Sequence, residues 1–365
     1  MNKAIAVIGA GNGGAAIAAY LASQGASVHL CDLFPQYIEG IRKNGGIELC
    51  LNGTEEFQPL AMVTADACEA IRGTALIMVV TPSFTHRMIA EKIAGALEDG
   101  QVVVLNPGRT CGALDFLNGL RENGCTADVV IAETQTLIYS CRRIGESRVE
   151  IYGVKKEVDI AAFPADRTDE VLALLHPYYP QFKPVSSCLV TSLSNIGALF
   201  HPTPVLLNIG RIETDKNGFL HYIEGISPAV ARLIHRIDLE RMAVAKAYGA
   251  DILSAEEWLK KSYDTYGGDL YELLQHNEAY QEIKGAHSID VRYVTEDVPM
   301  SLVPISELGH IAGVDVQNID AVILLLSSIY DRDFRAEGRN AARLGVRGLS
   351  REEVIGFLQS GKKAE

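Results

Sequence analysis

A glycine-rich segment near the start of the chain carries the clearest chemical signal. Residues 9–14 read Gly-Ala-Gly-Asn-Gly-Gly and fit G-x-G-x-x-G. In that pattern the first glycine permits a tight turn, the second lets the backbone approach a pyrophosphate, and the third lets a helix pack closely on a strand. An apolar stretch precedes the segment and a stretch of small residues follows it, so phosphates would lie at a helix N-terminus. The motif predicts a dinucleotide site formed by Gly9, Gly11, Asn12, Gly13 and Gly14.

An acidic residue refines the predicted ligand. Asp32 ends the second apolar stretch, 18 residues after Gly14. A carboxylate at this place accepts hydrogen bonds from the hydroxyls of a ribose and repels a 2′-phosphate. We therefore expect NAD(H) to be preferred, with NADP(H) possible. The alternative is an ordinary glycine-rich turn in which Asp32 only stabilises the turn.

Two later loops could complete the cofactor site. Thr81 and Pro82 follow one apolar strand, and Gly108 follows the next, within Asn-Pro-Gly-Arg-Thr at 106–110. Ligands of open α/β sheets bind outside the carboxyl ends of the strands. Both loops are candidates to line a nicotinamide, although each could also be an ordinary strand-to-helix turn.

One histidine among nine stands in an unusual position. His201 precedes a proline within the apolar segment 195–204. Imidazole titrates near neutrality, which suits it to general acid–base catalysis. A His-Pro step can place the ring at the edge of a cleft. Taken alone, however, the segment favours a histidine with a structural role.

The elements that position these residues follow from the length and pattern of the chain. Its 365 residues are 48% hydrophobic and 22% charged, which is enough for two or three globular domains. Residues 1–187 alternate short apolar runs with amphipathic stretches, as in a parallel sheet wrapped by helices. We expect a Rossmann-like α/β domain there. Two late stretches, 148–154 and 157–163, suggest an antiparallel hairpin that closes the sheet.

The second half of the chain, 188–365, shows helical periodicity. Ser254 begins an S-x-x-E capping box, and Ser306 and Asp315 are expected N-caps of later helices. We expect an all-helical domain packed closely on the first, with a ligand cleft between them, because no Gly/Ser-rich linker separates the two. The apolar stretch 316–330 is expected to be a core helix or part of a dimer contact.

Charge and cysteine content exclude several classes of protein. Lys and Arg number 33 against 46 Asp and Glu, giving a net charge of −13, so we expect neither nucleic acid nor a membrane surface as a partner. No apolar segment approaches the ~20 residues that span a bilayer. The seven cysteines include no C-x-x-C pair and no zinc-type spacing with histidine. We therefore expect reduced thiols, no metal site and a cytoplasmic protein.

Five segments resemble the opine dehydrogenase family, which includes octopine- and nopaline-dehydrogenase-like enzymes, and are most similar to its bacterial N-(1-carboxyethyl)norvaline dehydrogenase type. The segments are GAGNGGAAIAAYLA at 9–22, LNPGRTCGALDF at 105–116, TSLSN to HP at 191–202, EGISP at 224–228 and RYVTEDVPMSLVPISELG at 292–309. The resemblance implies a dinucleotide domain followed by an all-helical domain. It also implies NAD(P)H-dependent reductive condensation of a pyruvate-like α-keto acid with the amino group of an amino acid, and the reverse oxidation of the secondary amine. We also expect a homodimer.

The resemblance implies catalytic residues as well. The family's catalytic histidine and its aspartate partner correspond to His201 and Asp297, with Arg292 nearby. The reaction needs a proton donor that polarises the keto oxygen and helps to expel water from the carbinolamine. Asp297 would orient the imidazole, and Arg292 would bind a substrate carboxylate. The alternatives are a loop cap for Asp297 and a surface ion pair for Arg292.

Two further residues each have more than one possible role. Glu133 matches a family segment near the amino donor, so it could neutralise a substrate ammonium or be a buried structural carboxylate. Arg109 departs from the family pattern, in which a close relative has a small residue. It could bind a keto-acid carboxylate, bind a cofactor phosphate, or point to solvent.

Two other functions are compatible with the same plan. The first is a dehydrogenase that reduces a carbonyl without an amine, such as a ketopantoate reductase or a glycerol-3-phosphate dehydrogenase. Those families typically use a catalytic lysine in the helical domain, and no lysine of the second half stands in a comparable motif. The second is a non-enzymatic nucleotide sensor or scaffold, against which His201, Arg292 and Asp297 together argue.

Overall fold

The computed structural model describes residues 4–215 and 217–363, which form two compact units. Within the described residues, the first unit comprises 4–192 and 356–363, and the second comprises 193–355. The predicted division into 1–187 and 188–365 differs from this one in two places. The boundary falls after Ser192, and residues 356–363 belong to the first unit, where the ring of Phe357 packs at 5.1 Å from that of Phe163.

The first unit is built from strands and helices that largely alternate along the chain. Its strands are β1 (Ile5–Ile8), β2 (Val28–Cys31), β3 (Gly46–Leu51), β4 (Thr54–Pro59), β5 (Met62–Thr64), β6 (Leu76–Val79), β7 (Val102–Leu105), β8 (Val130–Thr134), β9 (Tyr139–Arg143), β10 (Arg148–Val154), β11 (Val158–Phe163) and β12 (Phe182–Pro184). Its helices are α1 (Asn12–Ser23), α2 (Glu39–Asn44), α3 (Ala67–Ile71), α4 (His86–Ile93), α5 (Gly112–Glu122) and α6 (Thr168–Leu175). Helix α7 (Cys188–Leu193) crosses the boundary between the units.

An eight-stranded sheet forms the centre of the first unit, in the order β12-β11-β8-β7-β6-β1-β2-β5. Strands β8, β7, β6, β1, β2 and β5 are parallel, and β11 joins β8 antiparallel. Strands β1, β6 and β7 are buried along their whole length, as expected for parallel strands covered on both faces. The chain leaves β1 toward β2 and later returns to its other side at β6. The carboxyl ends of β1 and β6 therefore form a topological switch point, where such sheets bind ligands.

A second, four-stranded sheet in this unit has the order β4-β3-β10-β9. It contradicts the predicted hairpin, because β10 pairs with β3 and β9 while β11 pairs with β8 in the large sheet. Gly153, which suggested a turn, instead lies inside β10 beside a register shift in its pairing with β9. Strand β11 is buried along most of its length, so it fits inside the large sheet.

The second unit is helical, which confirms the predicted all-helical domain. Its helices are α8 (Gly197–Phe200), α9 (Pro202–Leu207), α10 (Ile209–Thr214), α11 (Pro228–Ala247), α12 (Ala255–Ser262), α13 (Leu270–Gln275), α14 (Arg292–Thr295), α15 (Val303–Ala312), α16 (Gln317–Tyr330) and α17 (Phe334–Glu337), and α18 (Arg351–Ser360) begins in it. A π-helical turn, Val298–Leu302, leads into α15. Among the described residues the extended pairing of this unit is one bridge between Leu220 and Lys284.

The predicted helix starts in the second unit have mixed outcomes. Ser254 forms the full capping box with Glu257 at the start of α12. The prediction for Asp315 is wrong by one residue: the N-cap of α16 is Val316, although the side chain of Asp315 accepts a hydrogen bond from the backbone N–H of Gln317. The prediction for Ser306 is wrong, because this residue lies inside α15 and its hydroxyl donates to Asp320.

Helix α16 is apolar on more than one side. Ile319, Val322, Ile323 and Leu326 are buried, whereas Leu324, Leu325 and Ile329 are exposed. None of the helices in the described part of the chain is long and apolar enough to cross a membrane.

Candidate active site

The turn from β1 into α1 can be formed only with glycine at positions 9 and 14. Gly9 has φ +107°, and a Cβ built on it would lie 2.4 Å from the carbonyl oxygen of Val80. A Cβ on Gly14 would lie 1.8 Å from the carbonyl oxygen of Gly9. These contacts leave no room for a side chain: Gly9 lets the loop pass against the end of β6, and Gly14 lets the start of α1 pack against the end of β1.

The middle of this loop fits a dinucleotide. A Cβ on Gly11 would meet no atom within 4 Å, and the residue is exposed, so the backbone is open to a pyrophosphate. Helix α1 begins at Asn12 without an acidic residue in its first turn, so its N-terminal N–H groups and dipole favour an anion. The side-chain oxygen of Asn12 accepts a hydrogen bond from the backbone N–H of Arg143, and a Cβ on Gly13 would touch Leu137 at 3.0 Å.

Asp32 lies at the carboxyl end of β2, against the same loop. Its Oδ2 accepts a hydrogen bond from the N–H of Ala10 at 2.7 Å, and its Oδ1 accepts one from the N–H of Phe34 at 3.0 Å. Each carboxylate oxygen can accept a second hydrogen bond. The residue therefore fits the ribose of a dinucleotide while it also holds the glycine loop.

Thr81 and Pro82 lie on the other side of the switch point. The Cβ position of Gly9 is 2.8 Å from Cγ2 of Thr81, so the loop after β6 is in contact with the loop after β1. The hydroxyl of Thr85 lies 2.9 Å from Oγ1 of Thr81 and 2.7 Å from the carbonyl oxygen of Pro82. These hydrogen bonds fix the shape of the loop.

Glu133 is entirely buried at the end of β8. Its Oε2 accepts a hydrogen bond from the N–H of Ala113 at 2.8 Å, in the first turn of α5. Its Oε1 accepts from the hydroxyls of Thr191 and Ser192, at 2.7 and 2.6 Å. A Cβ on Gly108 would lie 2.4 Å from Cβ of Glu133, so only glycine permits this contact. The geometry favours the structural alternative for Glu133 over contact with an amino donor.

The loop that contains Gly108 has an unusual backbone. Arg109 and Cys111 have φ of +60° and +58°, in the left-handed region that side chains other than glycine rarely adopt. Ser192 stabilises the loop, because its Oγ accepts from the N–H of Cys111 at 2.8 Å and its carbonyl oxygen accepts from the hydroxyl of Thr110. The side chain of Arg109 is half-buried.

The second unit brings His201 and Asp297 together. Nδ1 of His201 lies 2.7 Å from Oδ2 of Asp297, and the two side chains are 18% and 2% exposed. His201 stands between α8 and α9, and Asp297 directly precedes the π-helical turn. Because a carboxylate accepts from Nδ1–H, the partly exposed ring can exchange a proton through Nε2. This is the arrangement of an acid–base pair.

Aromatic rings fix the plane of His201. The ring of Tyr293 stacks on it with centroids 4.1 Å apart and 13° between the planes. His221 lies 4.9 Å from Tyr293, and its Nε2 contacts the carbonyl oxygen of Phe200 at 3.0 Å. Burial lowers the pKa of His221 to about 4, so it is neutral near neutral pH and does not compete as a proton donor. Burial also raises the pKa of Tyr293.

Arg292 is oriented by a carboxylate that the sequence analysis missed. Its Nε and Nη2 donate to Oε2 of Glu296 at 2.9 and 2.5 Å, one helical turn later. The side chain of Arg292 is 59% exposed, whereas that of Glu296 is 2% exposed. The spacing of four residues was the available signal.

Two further polar side chains, those of Asn195 and Ser301, form a chain of contacts that reaches Asp297. Nδ2 of Asn195 donates to Oγ of Ser301 at 2.8 Å, and the Ser301 hydroxyl lies 3.4 Å from Oδ1 of Asp297. All three side chains are buried. Over residues 4–215 and 217–363, no group of three or more His, Cys, Asp or Glu side chains is arranged to hold a metal ion.

A dinucleotide loop on a parallel sheet and a His–Asp pair on a helical unit define a nicotinamide-dependent dehydrogenase. Residues 184–330 match the alpha-helical domain of NAD/NADP octopine/nopaline dehydrogenase, and residues 4–118 match the N-terminus of NAD-dependent glycerol-3-phosphate dehydrogenase. The chain is 40% identical to an opine dehydrogenase of Arthrobacter sp. (strain 1C) over 349 residues, which cover 96% of this chain and 97% of that protein. It therefore belongs to the opine dehydrogenase family, whose members are NAD(P)-dependent oxidoreductases acting on CH–NH donors.

Solved structures share this fold. Octopine dehydrogenase with NADH and L-arginine superposes with a TM-score of 0.84 at 22% identity, covering 99% of this chain and 98% of that chain. Octopine dehydrogenase with NADH and pyruvate gives a TM-score of 0.81 at 23% identity, with the same coverage.

Proposed function

We propose that this enzyme condenses an α-keto acid with the amino group of an amino acid and reduces the product to an N-(1-carboxyalkyl) amino acid, with NAD(H) as the preferred cofactor. The reverse reaction oxidises the secondary amine. The observation that carries the proposal is the hydrogen bond between His201 and Asp297, in a chain of the opine dehydrogenase family. The substrates of octopine dehydrogenase, pyruvate and L-arginine, belong to the same two chemical classes.

His201 supplies the acid–base chemistry. The amine adds to the keto carbon, and the resulting carbinolamine must lose its hydroxyl as water. Nε2 of protonated His201 donates a proton to this hydroxyl, which leaves as water. The C=N bond forms as the water leaves. NADH, when bound, supplies the hydride that reduces the carbon of this bond. In the oxidative direction the neutral Nε2 accepts the proton released when water adds to the C=N bond.

Asp297 keeps the imidazole in its productive state. Its carboxylate accepts a hydrogen bond from Nδ1, so that Nε2 faces the substrate. Tyr293 restricts rotation of the ring by stacking on it. The reacting proton is therefore held at one position before the substrate arrives, which lowers the entropic cost of the step.

Arg292 anchors a substrate carboxylate. Glu296 occupies Nε and Nη2, while the side chain remains largely exposed and retains Nη1 for a ligand. A guanidinium held in this way pairs well with a carboxylate because its donors are already oriented.

Residues of the first unit hold the cofactor. Gly9, Gly11, Asn12, Gly13 and Gly14 provide the pyrophosphate loop and the helix N-terminus. The carboxylate at position 32 would accept from the ribose hydroxyls, and the loops at 81–82 and 108 would line the nicotinamide. The buried Glu133 fixes the last of these loops instead of binding the amino donor.

The decisive assay is consumption of NADH with pyruvate and a panel of L-amino acids, with each component omitted in turn. We expect turnover to require both the keto acid and the amine. Consumption without an amine would indicate a simple carbonyl reductase, and would contradict the proposal. Turnover with NADPH in place of NADH tests the coenzyme preference.

The His201→Ala variant tests the acid–base residue. It should retain NADH binding, measured by fluorescence titration, and lose most of its turnover. His235→Ala is the matched control, because His235 is exposed and pairs with Glu256 on the surface of the second unit. Turnover close to that of the wild type in His201→Ala would contradict the assignment.

The oligomeric state and the cellular location of the enzyme belong to the same proposal. We propose a homodimer that uses the exposed apolar face of α16, where Leu324, Leu325 and Ile329 lie. Sedimentation of the wild type and of Leu325→Glu checks this: the wild type should be dimeric and the variant monomeric. We also propose a cytoplasmic location, supported by seven cysteines that form no disulfide bond within the described residues. Cell fractionation checks it.

A further inference from the structure

Arg143 binds four backbone carbonyl groups in the first unit. It ends strand β9 of the four-stranded sheet, and its side chain donates from Nη1 to the carbonyl oxygens of Ala10 and Tyr37, at 2.8 and 2.6 Å. Nε donates to the carbonyl oxygen of Gly145 at 3.2 Å, and Nη2 donates to that of Glu146. One guanidinium therefore joins the glycine loop, the segment after β2 and the turn between β9 and β10.

The contact with Ala10 places this residue between two opposite charges. Its N–H donates to the carboxylate of Asp32 at 2.7 Å, and its carbonyl oxygen accepts from Arg143. The backbone N–H of Arg143 also donates to the side chain of Asn12, at the first position of α1. The peptide groups on both sides of Ala10 are thus fixed, at the centre of the loop that would receive a pyrophosphate.

The guanidinium of Arg143 is partly buried and depends on these contacts. Burial lowers its pKa, while the charges of Asp32 and Glu146 oppose that effect. A partly buried guanidinium without hydrogen-bond partners would be costly, and four carbonyl oxygens satisfy it. Its neighbour Arg142 is exposed, so the two arginines of this strand differ in their surroundings.

We propose that Arg143 is a positioning residue of the cofactor site, which clamps Ala10 so that the glycine loop is held in the shape that accepts a pyrophosphate. It touches the loop and need not touch the reacting atoms. The inference rests on the proposed function only to the extent that the ligand is a dinucleotide.

Cofactor binding by the whole protein tests this role. In Arg143→Met, the dissociation constant of NADH, measured by fluorescence titration, should rise about tenfold, on the order of the loss of one hydrogen bond to a charged group. The KM for NADH should rise in parallel, while kcat at saturating NADH changes less than about twofold, because the clamp acts on binding and not on the proton transfer. Arg143→Lys should recover part of the affinity, since its ammonium can reach one of the carbonyl groups.

Fragments of the cofactor locate the effect. Competition with NADH should show that ADP-ribose loses about the same factor as NADH, whereas adenosine, which has no phosphate, loses less than about twofold. Arg142→Met is the matched control, because it removes the same charge from the same strand without touching the loop; its NADH affinity should stay within about twofold of the wild type.

The results separate this inference from the proposed function. NADH binding without turnover on any keto-acid and amine pair would refute the proposed reaction and leave the role of Arg143 to be decided by the binding constants. Unchanged NADH affinity in Arg143→Met would overturn the inference. An equal loss for adenosine and ADP-ribose would overturn it as well, because the residue would then act on the adenosine side and not on the pyrophosphate loop.

Discussion

Replacement of Asp297 by asparagine is the most direct test of the acid–base pair. Asn has the shape of Asp but carries no charge, and it removes the carboxylate that lies 2.7 Å from Nδ1 of His201. The amide oxygen of Asn can still accept from Nδ1, but because position 297 is almost completely buried, water cannot compensate for the lost negative charge. A hydrogen bond between charged groups contributes about 1.5–3 kcal/mol. At about 1.4 kcal/mol for each factor of ten, kcat/KM for the reductive reaction should fall about 10- to 150-fold.

The assay compares kcat/KM for keto acid, amine and NADH with the dissociation constant of NADH. The binding constant should not change, since Asp297 belongs to the second unit and the cofactor residues belong to the first. Ser301→Ala is the matched control: it removes the long contact of 3.4 Å with Asp297 and the acceptor of Asn195 Nδ2, but it keeps the carboxylate on His201, so its kcat/KM should fall less than about threefold. If Asp297→Asn keeps more than about a third of the wild-type kcat/KM, a charged hydrogen bond at His201 does not support the reaction, and the reasoning fails.

Three further predictions concern the cofactor loop, the coenzyme preference and pH. Gly11→Ala should fold normally and raise the KM for NADH, whereas Gly14→Ala should lower the melting temperature markedly, because its Cβ would overlap the carbonyl oxygen of Gly9. Asp32→Asn should raise kcat/KM with NADPH relative to NADH, because the charge that repels a 2′-phosphate is removed. His221 has a pKa of about 4 when folded and about 6.5 when unfolded, so the unfolded state binds more protons between these values. The unfolding free energy in urea should therefore fall by about 1.6 kcal/mol from pH 6.5 to pH 5, and His221→Gln should lack this part of the pH dependence.

Local patterns predicted where the glycine loop and Asp32 lie: the loop joins β1 to α1, and Asp32 directly follows β2. The glycine loop and the acidic residue at the end of β2 depend on contacts between neighbouring elements, so their spacing along the chain contains the required information. The capping box at Ser254 is local in the same way, and the structure has it. Ser306 has the residue type of a cap, but helix α15 had already begun at Val303, and the serine bonds Asp320 of another helix instead.

Strand pairing could not be predicted from the same patterns. The stretches that form β10 and β11 each have the alternating or continuous apolar pattern of a strand. Neither pattern indicates which strand is the pairing partner. Gly153 and the lysines after it suggested a turn between the two, whereas the glycine accommodates a register shift inside β10. The four-stranded sheet joins strands that are far apart in the sequence, and a single sequence does not report such contacts.

The same limit applies to parts of the site. The pairing of His201 with Asp297 spans 96 residues, and it was expected only from the resemblance to a family. Tyr293 stacks on His201 across a similar distance and left no local signal. The contact between Arg292 and Glu296 could have been predicted from the sequence, because an arginine and a carboxylate four residues apart on a helix commonly pair.

The bond between Arg143 and Ala10 joins residues that are 133 positions apart. Closing so long a loop costs more chain entropy than forming the neighbouring β1, α1 and β2, which pair locally. We expect the first strands and helix to form early in folding, with the glycine loop still free to change shape. The loop then adopts its final conformation only when β9 packs against it. The ability to bind the cofactor should therefore be among the last properties that the first unit gains as it folds.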